Sequence, residues 1–291
     1  MKVDIKLRRF NMSQMKDDNV VLFIGKRNTG KSFLIRDVMH HFRDIPLGTV
    51  ISGTEIANGF YRKFMPDIFV HFGYSSDLLA NVIKRQVVMH DKSGTIDTRA
   101  FLILDDLMDD AKSWVKDPSI KTAFFNGRHF KLFFILSMQY SLGISPELRS
   151  NVDYVFILRE CLNSNRKRLF EHYAGMFGTF EIFCKIMDEC TEDYECIVID
   201  NTTKSNKLTD QVFWYKASPH EEFRIGHSQF WNAAKNAEVR ARRVAVAHGL
   251  DEKTNGNNLG RKPSKIRINV RKVFKDDDDD EEGGDDIDAL F

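Results

Sequence analysis

Between residue 20 and about residue 216, short apolar runs alternate with amphipathic stretches. Runs such as VVLFI at 20–24 and FLIL at 101–104 are apolar at every position, the pattern of strands buried on both faces of a parallel sheet. Further strands are expected at 49–52, 68–71, 132–137, 154–158, 196–200 and 212–215. Helical spacing of apolar residues predicts helices over 32–41, 76–90, 118–127, 163–175 and 180–190, with Pro118 suited to a first turn. Such alternation defines an α/β domain with a mostly parallel central sheet and helices on both faces. Residues 1–19 are a polar lead-in with a candidate edge strand at 3–7. An Ala- and Arg-rich stretch predicts one more helix over 221–248, so the domain is expected to span 20–248. From 249 to 291 periodicity is lost, and a basic linker followed by an acidic tail is expected to be disordered.

The junction of the first buried strand with the first helix carries chemistry. Gly25, Lys26, Arg27, Asn28, Thr29, Gly30, Lys31 and Ser32 spell GKRNTGKS, a complete G-x-x-x-x-G-K-[ST] loop. Its glycines let the backbone wrap an anion, so that successive N–H groups and the helix N-terminus face the phosphates. Lys31 is placed to reach the β- and γ-phosphates, and the Ser32 hydroxyl to ligate Mg²⁺. ATP with Mg²⁺ is the expected ligand.

The strand at 101–104 ends in Asp105 and Asp106. In phosphate-loop enzymes the first such acid holds the metal, and a second acid beside it can orient and deprotonate the attacking water. About seventy residues separate loop and acids, and the strand at 132–137 runs on to the polar Gln139. This spacing suggests a strand inserted between the loop strand and the acidic strand, the additional-strand arrangement of motor ATPases, with Gln139 sensing the γ-phosphate. A transferring phosphoryl group also needs an arginine, supplied in cis or by a neighbouring subunit. Arg128, just before the Gln139 strand, is the first candidate for a trans finger; Arg149 and Arg27 follow.

Charge changes the picture further. The formal net charge of +1 hides segregation: residues 276–291 hold ten acids and no Lys or Arg, leaving a body with an excess of about eleven positive charges. A basic body implies an anionic polymer as partner, with the clusters at 163–168, 240–243 and 261–275 as candidate phosphate contacts. No apolar stretch approaches the roughly 18–20 residues of a membrane span, and the charged N-terminus lacks a secretory h-region. Four cysteines fall at no C-x-x-C spacing, as expected of reduced thiols in a reducing compartment.

Taken together, GKRNTGKS, FLILDD and NGRHFKLFFILSMQY followed by ISPELRSNVDYVFILRE resemble the genome-packaging ATPases of nucleocytoplasmic large DNA viruses, the poxvirus-type members of the RecA-like FtsK–HerA superfamily. The resemblance covers about 20–216. It implies an ATP-driven translocase of double-stranded DNA, assembled as a homo-oligomeric ring, that works with capsid or other packaging proteins. It further implies residence in the viral factory of the host cytoplasm and in the virion. It maps Lys31 and Ser32 to phosphate and Mg²⁺, Asp105 to the metal, Asp106 to water activation, Gln139 to sensing and Arg128 to the finger. One departure is that many additional-strand ATPases carry Glu where this chain has Asp106. Two other readings of the residues stay open: a phosphate-loop nucleotide kinase, and a non-motor ATP-binding protein associated with DNA.

Overall fold

The computed structural model of the protein describes residues 5–92, 94, 96–107, 114–140 and 143–247, with Glu238 and 241–247 described by backbone alone. The apolar runs become strands β1 (Arg8–Arg9), β2 (Val20–Ile24), β3 (Gly48–Ser52), β4 (Val70–His71), β5 (Ala100–Asp105), β6 (Leu132–Met138), β7 (Tyr154–Ile157), β8 (Glu195–Asp200) and β9 (Val212–Lys216). They join in one sheet in the order β1-β9-β8-β7-β2-β6-β5-β3-β4. Every neighbouring pair is parallel except those of β8, which runs antiparallel to β7 and β9. The reversal has a simple cause. Two helices, α4 (Asn163–Tyr173) and α5 (Phe180–Cys190), separate β7 from β8, so the chain re-enters the sheet at the end where β7 left it.

Side chains of each strand alternate between two cores. Val21 and Phe23 meet Leu34, Ile35, Val38 and Met39 of α1 (Lys31–His41) on one face. Leu22 and Ile24 share the other with Leu79 and Ile83 of α2 (Ser76–His90), Ile120 and Phe124 of α3 (Pro118–Asn126), and Phe183 and Met187 of α5. Helices therefore cover both faces, as the pattern predicts. Phe23, Phe101, Phe133, Phe134 and Phe156 are fully buried, each contributing about 1.5–3 kcal/mol by leaving water. Asp117 caps α3 ahead of Pro118, and Ser75 caps α2.

Three expectations are corrected. Of the edge strand predicted at 3–7, residues 3 and 4 lie outside the described residues and 5–7 form no strand; the edge strand is Arg8–Arg9, where Phe10 anchors the chain, its N–H on the Trp214 carbonyl and its ring among Tyr154, Phe156, Phe213 and Tyr215. The first half of the strand predicted at 68–71 is a 3₁₀ turn, Asp67–Phe69. The last helix, α6 (Ser228–Ala247), starts seven residues later than predicted. The strap before it turns its N–H groups to the body: Ser218 to Asp37 (3.1 Å), Ile225 to the Phe64 carbonyl (2.9 Å) and His227 to the Pro46 carbonyl (2.7 Å). Gly226, at φ 91°, completes the bend that a helix forbids. Residues 249–291, with their expected disorder, basic linker and acidic tail, lie outside the described residues.

Candidate functional site

Strand register brings the chemistry to one rim. Ile24 of β2 pairs with Met138 of β6, and Asp105 of β5 pairs with Ser137 one residue before it. β6 therefore stands between the loop strand and the acidic strand, holding them two strand spacings, about 10 Å, apart with their carboxyl ends level. The additional-strand arrangement inferred from spacing is present. Lys26, Arg27, Asn28, Gly30, Lys31, Ser32, Asp105 and Asp106 line one cleft of about 430 Å³.

Local backbone shapes the cradle. Asn28 and Gly30 adopt left-handed φ of 63° and 97°, and α1 begins at Lys31 with no side chain capping its first turn. Its leading N–H groups are thereby open to an anion. Thr29 stiffens the loop by donating to the Lys26 carbonyl at 2.7 Å. The Lys31 ammonium donates to the carbonyls of Gly25 and, at 2.9 Å, Lys26. Burial pushes the Lys31 pKa down, against the pull of Asp105 and Asp106.

The acids differ in setting. Asp105 is 3% exposed and accepts from the Tyr61 hydroxyl at 2.9 Å. Burial raises its pKa, a charge cost that an approaching cation would relieve. Asp106 stands at φ 53°, turned out of the strand into the cleft, and accepts from the Gln139 amide. Gln139 is thus in contact with the residue read as the base. Among the described residues no group of three His, Cys, Asp or Glu could hold a metal by itself. The Ser32 hydroxyl and the Asp105 carboxylate are hard oxygen donors beside one cleft, and fit Mg²⁺ delivered with phosphates.

The three candidate arginines lie apart. Arg27 is exposed in the loop and lines the cleft. Arg149 ends the single turn Pro146–Arg149, its guanidinium 5.6 Å from the Tyr173 ring centroid. Arg128 lies before β6, at the opposite rim of the sheet, and pairs with Asp153 at 2.5 Å. Asp153 also accepts from Val20 N–H, at the start of β2, so about 16 Å of strand separates Arg128 from the loop of its own chain. Of the basic cluster 163–168, Lys167 and Arg168 are exposed, but Arg166 is buried. Arg166 donates to the Glu160 carbonyl (2.6 Å) and Asp188 (2.5 Å), which corrects its reading as a phosphate contact. Arg240 is exposed; Arg242 and Arg243 are described by backbone alone, and 261–275 lie outside the described residues.

Sequence reasoning missed five members of this rim. Thr54 and Asn58, beyond the tip of β3, line the cleft with Phe33. Glu160, 5% exposed, pairs with Lys26 of the loop at 2.7 Å and accepts from Leu162 N–H and the Asn165 amide. Burial pushes its pKa up, but Lys26 and those donors outweigh it and leave the carboxyl below its usual range. An acid three residues past a buried strand was the available signal. Tyr61 had none.

Fold and cleft together define a P-loop NTPase of the additional-strand type. No family model matches the chain. It is 36% identical over 285 residues to the uncharacterized protein L437 of Acanthamoeba polyphaga mimivirus, spanning 92% of this chain and 97% of that one. It is 40% identical over 233 residues to the uncharacterized protein 088R of Invertebrate iridescent virus 3, spanning 78% and 88%. The chain belongs to this family of nucleocytoplasmic large DNA virus proteins. Its fold is that of B204, the DNA-packaging ATPase of Sulfolobus turreted icosahedral virus, with a TM-score of 0.53 at 18% identity over 70% of this chain and all of B204. The fold expected from the motifs is met, and the relatives come from the group of viruses that the resemblance named.

Proposed function

We propose that this protein is an ATP-hydrolysing translocase of double-stranded DNA that packages a viral genome. The observation that carries the reading is the single rim on which β6 aligns Lys31, Ser32, Asp105 and Asp106 around one cleft, with Gln139 bonded to Asp106. A passive nucleotide site has no need of a second acid held by an amide. Kinship with large DNA virus proteins and the fold of a packaging ATPase support the DNA-directed part.

In this reading the loop N–H groups and Lys31 hold the β- and γ-phosphates. Ser32 and Asp105 would hold Mg²⁺, which neutralises charge on the phosphate oxygens when bound. Asp106 accepts the proton of the attacking water as its oxygen bonds to the γ-phosphorus and the bond to the bridging oxygen breaks. Gln139 fixes where Asp106 points. Arg128 acts in trans, within a ring in which one subunit's far rim faces its neighbour's cleft. Exposed Lys167, Arg168 and Arg240 supply sequence-neutral contacts to DNA phosphates. Capsid or other packaging proteins are the further partners, and the viral factory of the host cytoplasm is the place of action.

ATPase rate against protein concentration, with and without double-stranded DNA, tests the proposal. A cooperative, DNA-stimulated curve is expected. Lys31→Ala should abolish nucleotide binding or turnover, and Asp106→Asn should bind ATP without hydrolysing it. A rate indifferent to DNA at every concentration would exclude the motor.

A further inference from the structure

Beside the phosphate cleft lies a second hollow of about 340 Å³, lined by Gly30, Phe33, Tyr194, Lys216 and Ala217. Gly30 and Phe33 belong to both spaces, so the hollow continues the cradle at the start of α1. Two large rings stand in it with much of their surface in water, Phe33 at 41% and Tyr194 at 67%.

Tyr194 is held there by its surroundings. Because β8 is antiparallel, the turn that begins it sits at the same rim as the phosphate loop, where Glu195 pairs with Lys216 at the end of β9. Asp193 and Tyr194 are consecutive non-glycine residues in the left-handed region, φ 47° and 64°, and Asp193 is ion-paired to Lys216. The ring lies against the loop: a Cβ on Gly30 would meet Tyr194 Cδ1 at 3.2 Å.

We propose that this hollow is a nucleobase site, in which Phe33 and Tyr194 hold the base by stacking and do not read its edge. The inference rests on the reading of the loop as a triphosphate cradle. A base attached to phosphates in that cradle needs a surface near the first turn of α1, and every base offers a π-face to an aromatic ring. Strong discrimination between bases requires polar groups matched to the base edge, left unpaired by the wrong one. Of the five lining residues only Lys216 and Tyr194 carry polar side-chain atoms, and the Lys216 ammonium is engaged by Asp193. Purines should therefore bind better than pyrimidines, with adenine and guanine nearly equivalent.

The test measures equilibrium binding of ATPγS, GTPγS and inorganic tripolyphosphate, each with Mg²⁺, to the full chain. Wild-type affinities for ATPγS and GTPγS should agree within about tenfold, and Tyr194→Ala or Phe33→Ala should weaken ATPγS by roughly 5- to 150-fold, the range base–aromatic stacking gives on alanine substitution. Tripolyphosphate should bind both variants like wild type, and Tyr194→Phe should keep ATPγS. Equal losses for ATPγS and tripolyphosphate, or no loss for either, would overturn the base site while leaving the cradle standing. A preference of a thousandfold or more between ATPγS and GTPγS would overturn edge-blind binding. Wild-type protein that binds none of the three ligands overturns the cradle itself, and this inference with it.

Discussion

Replacing Arg128 by alanine removes a guanidinium from the sheet rim opposite the nucleotide cleft. Its partner Asp153 is 9% exposed in its side chain, while Arg128 is 58% exposed. Fully exposed ion pairs contribute about 0–1 kcal/mol, whereas stripping one partner from a buried pair costs about 3–5 kcal/mol. Asp153 keeps two other donors, Val20 N–H at 2.8 Å and the Asn19 amide at 3.1 Å, so the carboxylate left behind is not orphaned. The cost should therefore sit near the low end, about 1 kcal/mol, or a fall in Tm of about 2–4 °C for a domain of this size. Loss of an arginine finger is far larger, about 10³–10⁵ in turnover, equivalent to roughly 4–7 kcal/mol of barrier. With total stability of about 5–15 kcal/mol, a loss of 1 kcal/mol leaves nearly every molecule folded at 25 °C and cannot mimic such an effect. Urea denaturation of Arg128→Ala and Asp153→Asn, beside DNA-stimulated turnover at saturating protein, separates the two roles. Turnover of Arg128→Ala should collapse and be partly rescued in rings mixed with wild-type subunits. Activity within tenfold of wild type would refute the finger, leave Arg128 as a strut of the rim, and pass the role to Arg149 or Arg27.

Other expectations follow from single contacts. Tyr61→Phe deletes the hydroxyl that solvates buried Asp105, and should lower stability by about 1–3 kcal/mol, read as a lower urea midpoint at unchanged slope. A variant as stable as wild type would remove Tyr61 from the support of the site. Gly30→Ala meets both a φ of 97° and the Tyr194 ring, so ATP binding should fall with a stability loss of about 1–2 kcal/mol; wild-type binding would contradict the loop geometry. Burial first, then His220 and Arg43, hold the His40 pKa below its usual value of about 6.5, and burial does the same for His71. The native state thus excludes protons that the unfolded chain takes up below about pH 6.5, so their contribution is complete above that pH and is lost on acidification. His40→Gln should flatten the acid limb of the stability–pH curve; an unchanged slope would assign it elsewhere.

Much of this architecture is written locally. Strands buried on both faces must be apolar at every position, which is why β2 and the body of β6 could be read almost to the residue, and capped helices such as Ser76–His90 and Phe180–Cys190 in full. The phosphate loop needs only eight consecutive residues and its flanking elements, and the Asp105–Asp106 pair is contiguous with its strand. Spacing pointed to the inserted strand because about seventy residues, room for a strand–helix unit, separate the two motifs.

What pairs with what is decided in three dimensions. The reversal of β8 depends on which end of the sheet the chain re-enters, information that no strand carries in its own pattern. Arg166 looks like its exposed neighbours in a basic run, yet Asp188 and the Glu160 carbonyl bury it. Tyr61 reaches Asp105 across 44 residues, and Tyr194 is brought beside Gly30 only because two helices turn the chain back to the rim. Local sequence set the backbone that wraps a phosphate; long-range packing chose the side chains that surround it, because burial and register are properties of neighbours distant along the chain.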